Sequence, residues 1–133
     1  MENDVNILFL GTGAGDFQAF DDPDDDNRYL ARARELGGRS LRYASSALLL
    51  PHLLIDFHDD RQLRRFGVET DSIRQLFVTH AHWDHFQPRA ILELAAGLPH
   101  ELAVYGNEAV RNSLEFAAEN CWDGEAGRFR RRN

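Results

Sequence analysis

Three histidines and an aspartate fill four of six consecutive positions, His80, His82, Asp84 and His85, directly behind the apolar run QLFVT at residues 75–79. In an extended segment residues i and i+2 project to the same side, so His80 and His82 can offer two imidazoles to one ion. Asp84 and His85 follow one step later and can serve a second ion close by. Imidazole nitrogen and carboxylate oxygen bind zinc at about 2.0–2.2 Å. This donor set suits zinc, with manganese and iron(II) also compatible, better than calcium or magnesium. One such histidine alone would read as an ordinary polar residue. Three beside a carboxylate, fed by a strand, read as a metal site. The fold must therefore bring the end of a core strand to the place where that site is built.

The rest of the chain is organised around that strand. Residues 5–10, VNILFL, are predicted to form a buried strand running into the glycine loop GTGAGD. Residues 44–50 and 52–57 read as two strands joined tightly around Pro51. Residues 59–67, opened by aspartates and closed by Gly67, read as a short helix. Beyond the histidines come a helix over 88–98, a strand over 101–106 and an amphipathic helix over 107–120 with Asn107 as its N-cap. Strands first, then strand and helix in alternation, predict a mixed sheet covered by helices on one face. The segment 17–40, acidic at first and ending at Gly37-Gly38, reads as an exposed insertion with a helical turn over residues 27–37.

The glycine loop invites a phosphate-binding reading through its backbone N–H groups. It matches neither a P-loop, which needs Gly-Lys-Ser/Thr, nor a full GxGxxG, because Asp16 stands at the last glycine position. A structural tight turn beside the site is the stronger expectation. His52 and His100 sit at turns and are read as local polar contacts, and so, with less weight, is His58 behind the LLIDF strand.

At 133 residues the chain is long enough for a single domain with its own core. A net charge of −7 disfavours a broad nucleic-acid surface, and the four arginines of the terminal RFRRRN read as a solvated tail. A lone cysteine, Cys121, permits no internal disulfide, and no stretch is apolar enough to span a membrane; a cytoplasmic protein is expected.

The motif THAHWDH at a strand end resembles the HxHxDH signature of the metallo-β-lactamase superfamily, matched residue for residue by His80, His82, Asp84 and His85. NILFLGTGAGD, SSALLL and LLIDF resemble the opening elements of its branch of ribonuclease Z and cyclic phosphodiesterases. The resemblance implies an α+β fold, an αββα sandwich of which this chain supplies the N-terminal β-rich half with its helices. It implies two zinc ions, one held by His80 and His82 and one by Asp84 and His85, with a bridging hydroxide as nucleophile and a proton-handling role for Asp84. Asp56, at the end of the LLIDF strand, inherits a supporting position behind the metals. Phe57, His58, Asp59 and Asp60 depart from the small residues usual after that aspartate in ribonuclease Z-like proteins, and point to small phosphodiesters rather than tRNA.

In the family, two further histidines and a bridging aspartate complete the site downstream; after His85 this chain has only His100, too early and in the wrong element. The expectation is a metal-dependent phosphodiesterase acting on a small cyclic or nucleotide-like substrate. Its rivals are a hydrolase of another ester, a thioester or a lactone, and an incomplete half-domain that binds metal weakly and acts with a partner half or as a homo-oligomer.

Overall fold

The computed structural model describes residues 5–13, 28–40 and 42–132. Five strands form one sheet in the order β1 (Ile7–Gly11), β2 (Ser46–Leu49), β3 (Leu53–Ile55), β4 (Gln75–Phe77) and β5 (Ala103–Tyr105). The first three run antiparallel; β3, β4 and β5 are parallel. Parallel neighbours need crossover connections. Helix α2 (Arg61–Arg65) lies in the first and helix α3 (Pro88–Gly97) in the second. Helix α4 (Glu108–Glu119) follows β5 and packs on α3. The expected α+β arrangement is thus present: a mixed sheet with helices on one side.

Strand periodicity explains which side. Leu8, Leu48, Leu54, Leu76 and Val104 stand in register across the sheet. They face Leu63 of α2, Ile91 of α3 and Val110 of α4, and Leu48, Leu54, Leu63 and Leu76 are completely buried. Each such leucine stabilises the fold by roughly 1.5–3 kcal/mol relative to exposure. The alternate positions form a second apolar face, with Ile7, Phe9, Leu49, Leu53, Ile55, Phe77 and Tyr105, and no helix among the described residues covers it. Phe9 is 64% exposed there, and the stacked rings of Phe77 and Tyr105, 4.7 Å apart, are 42% and 46% exposed. A sheet apolar on both faces is built to lie between two layers.

The local signals behave as their chemistry dictates. Pro88 opens α3, where a missing N–H costs nothing. The Asn107 side chain accepts the Val110 N–H at 3.1 Å and caps α4. Helix α2 is shorter than the sequence suggests; Asp59, not the N-cap Asp60, accepts the Arg61 N–H, at 2.8 Å. In the segment 17–40, residues 28–40 are described: helix α1 (Arg28–Leu36) followed by a 3-10 turn at Gly38–Ser40, while residues 14–27 lie outside the described residues.

One expectation is corrected. Residues 128–131 are not an unstructured tail: β6 (Asn120–Asp123) and β7 (Arg128–Arg131) pair as an antiparallel hairpin. Phe129 meets Trp122 and Phe116 edge-to-face at 5.1 and 5.0 Å. These aromatic contacts, with Gly127 in the left-handed region at φ 62°, fold the arginines into a strand whose four residues all remain exposed to solvent, as expected of them.

Candidate metal centre

Because β3 and β4 are parallel, their C-terminal ends emerge on the same edge of the sheet. Asp56 follows β3 there, and Thr79 and the histidine loop follow β4. Asp56 is 4% exposed and adopts φ 54°, a left-handed conformation that Asp tolerates better than most residues. That turn is anchored by its own backbone, since Asp56 N donates to Phe77 O at 2.8 Å and Ser46 Oγ to Asp56 O at 2.7 Å. Its carboxylate is thereby aimed across the strand ends. Oδ1 accepts the Thr79 N–H at 2.7 Å, while Oδ2 accepts both the Thr79 hydroxyl at 2.8 Å and His85 Nδ1 at 2.7 Å.

The loop itself is tied at its exit. Phe57 and Phe86 form a bridge, with Phe57 N donating to His85 O and Gln87 N to Phe57 O. Within it the imidazoles converge: the His80 ring centroid lies 4.6 Å from that of His82 and 4.2 Å from that of His85. His80 Nδ1 sits 2.9 Å from Thr79 Oγ1, and Asp84 Oδ2 sits 3.3 Å from His85 Nε2. The four residues singled out by their spacing are therefore brought together, with Asp56 directly behind them.

Among the described residues no group of three or more His, Cys, Asp or Glu side chains is arranged to hold one ion. What the loop assembles is two adjacent donor pairs, His80 with His82 and Asp84 with His85. The geometry of the second pair fits a cation. His85 gives its Nδ1–H to Asp56, so in the neutral ring Nε2 carries a lone pair. Nε2 and the Asp84 carboxylate are then two acceptors 3.3 Å apart, an arrangement that a shared positive charge stabilises.

The remaining histidines divide. His52 Nδ1 meets Ser72 O at 2.8 Å and His100 Nε2 meets Ile73 O at 2.7 Å, both local contacts away from the loop. His58 pairs with Asp59 at 3.2 Å and stands edge-on to Trp83 at 5.8 Å, so it does reach the histidine loop. Burial pushes the Asp59 carboxyl up, but hydrogen bonds from His58 and the Arg61 N–H, with the charges of His58 and Arg64, carry it below its ordinary value. In the glycine loop, a Cβ on Gly11 would fall 1.9 Å from Ala44 O, and Gly13 N donates to Tyr43 O at 2.7 Å. Gly11 is needed for close packing of backbone on backbone.

Cleft volume points elsewhere. A cleft of about 680 Å³ lies between α3, α4 and the β6–β7 hairpin, lined by Phe116, Trp122 and Phe129, and none of the four loop residues reaches it. The convergence of titratable groups, not the size of that cavity, marks the site.

A search of solved structures finds human tRNase Z, short form (ELAC1), superposing with a TM-score of 0.53 at 23% identity over 82% of this chain. The fold is of the metallo-β-lactamase type. The chain spans 38% of the length of that structure. No protein-family model matches the sequence, and no curated protein does. Among the described residues no helix is long and apolar enough to cross a membrane. Sequence alone does not single out Thr79; its one mark there is a hydroxyl residue between a core strand and the first histidine.

Proposed function

We propose that this chain is the N-terminal half of a metal-dependent hydrolase acting on a phosphodiester. The observation that carries the reading is the convergence of His80, His82 and His85 on one loop, with His85 oriented by the buried carboxylate of Asp56. His80 and His82 would hold one divalent ion, Asp84 and His85 the other, with zinc the best match to the donors. Such ions supply Lewis acidity and bring the pKa of a bound water toward neutrality. The chain's own residues fix the ring orientations through Asp56 and place the Asp84 carboxylate beside His85, where it can take up or release a proton. A net charge of −7 favours a small phosphodiester over a long polyanion, although the neighbour is named a tRNase.

A second reading, favoured by an apolar sheet face that no described helix covers, is that the site works only when a complementary half covers that face. Bis-p-nitrophenyl phosphate, a thioester and a lactone, tested with added zinc, separate phosphodiester from acyl chemistry. The His82→Ala variant should lose bound zinc and hydrolysis together. Zinc content unchanged in that variant would overturn the ligand assignment. Light scattering of the isolated chain, run beside its zinc stoichiometry, tells whether a partner is required.

A further inference from the structure

The hydrogen bonds around Asp56 fix more than one ring. We propose that Thr79 is a positioning residue that transmits the Asp56 carboxylate to His80, so that one buried oxygen selects the ligating nitrogen of two histidines.

The argument is a count of protons. An ionised carboxylate only accepts hydrogen bonds, and a threonine hydroxyl has one proton to give. Thr79 Oγ1 lies 2.8 Å from Asp56 Oδ2 and 2.9 Å from His80 Nδ1. The proton goes to the carboxylate, which has none of its own. The hydroxyl oxygen must then accept at the other contact, so His80 Nδ1 carries the hydrogen and Nε2 the lone pair. His85 reaches the same state directly, its Nδ1 being 2.7 Å from that same Oδ2. Both rings thus present Nε2 as donor, although only one touches the carboxylate. Threonine suits the position for a second reason: its backbone N–H holds Oδ1 at 2.7 Å, which fixes the residue while its hydroxyl makes the relay. A supporting hydrogen bond that sets a ligand's tautomer typically contributes ten- to a hundredfold in metal affinity, roughly.

The inference rests on the metal-hydrolase reading, and its test has a readout that needs no metal. Histidine-labelled full chain, stripped of metal and held about two pH units above the ordinary imidazole pKa, is read by two-bond proton–nitrogen correlation NMR. His80 and His85 should both show the Nδ1–H pattern. Thr79→Val, which keeps shape and backbone bond, should move His80 toward the Nε2–H form, leave His85 unchanged, and weaken zinc about ten- to a hundredfold. Thr79→Ser should restore both. A wild-type His80 with its proton on Nε2 overturns the proposal, and that measurement needs no variant to fold. A His80 pattern unmoved in Thr79→Val also overturns it, while zinc retained by wild type and lost in His82→Ala would leave the hydrolase reading standing. Conversely, the expected tautomers in a chain that takes up no zinc would support the relay and defeat the reading in which this chain binds the ions by itself.

Discussion

Replacing Asp56 by Asn should destabilise the protein by at least about 3 kcal/mol, and that lower bound follows from the hydrogen bonds at that carboxylate. The substitution isolates chemistry from backbone, because Asn accepts the left-handed φ of 54° as readily as Asp does. Three donors converge on the two oxygens: the Thr79 N–H on one, the Thr79 hydroxyl and His85 Nδ1 on the other. The amide has a single acceptor oxygen. Its better orientation keeps that oxygen toward the hydroxyl and the imidazole, and turns NH2 against the Thr79 N–H. One charge-assisted bond of roughly 1.5–3 kcal/mol is then lost and the other two fall to neutral strength, about half. Denaturant melts followed by circular dichroism measure the loss, and for a domain of this size 3 kcal/mol corresponds to a fall of about 10 °C in Tm. A variant within about 0.5 kcal/mol of wild type, inside the usual range of a surface change, would show that the carboxylate does not organise the strand ends.

Three further perturbations test other links. Leu54→Ala, in the completely buried centre of β3, should cost about 2–5 kcal/mol in the same melts. Asn107→Ala removes the cap that receives Val110 N–H and should cost about 1 kcal/mol, with helix loss confined to α4 in hydrogen exchange. Asp59, whose folded carboxyl lies below the 3.8 of its free state, stabilises the ionised form; that contribution is present above the unfolded value and is lost as pH falls through the folded one. Stability measured between roughly pH 5 and pH 2 should therefore fall less steeply in Asp59→Asn, and an unchanged slope would remove the assigned partners.

How much of this was legible depended on the range of the interaction. The histidine loop announced itself because its donors are adjacent in sequence and a strand delivers them together. Helix α4 was legible from Asn107 and its periodicity, and the sheet from the runs around Leu48, Leu54 and Leu76. The left-handed turn at Asp56 was not, since its cause is the pairing of β3 with β4, twenty-odd residues apart in the chain. Strand β7 was hidden by its charge: the three arginines of β7 outweighed Phe129, whose edge-to-face partners Trp122 and Phe116 lie on other elements. Thr79 was illegible for the same reason, its hydroxyl mattering only once Asp56 is folded beside it.

The histidine loop is fastened at both ends, by Thr79 on the Asp56 carboxylate and by the bridge from Phe57 to Phe86. The entropy of closing it is therefore spent when the chain folds, and little is left for a bound ion to spend. For the metal site proposed above, affinity at the loop and integrity of the junction between β3 and α3 become one quantity. A substitution at Phe57 or Phe86, which contributes no donor atom, should loosen capture of the ion before it unfolds the domain.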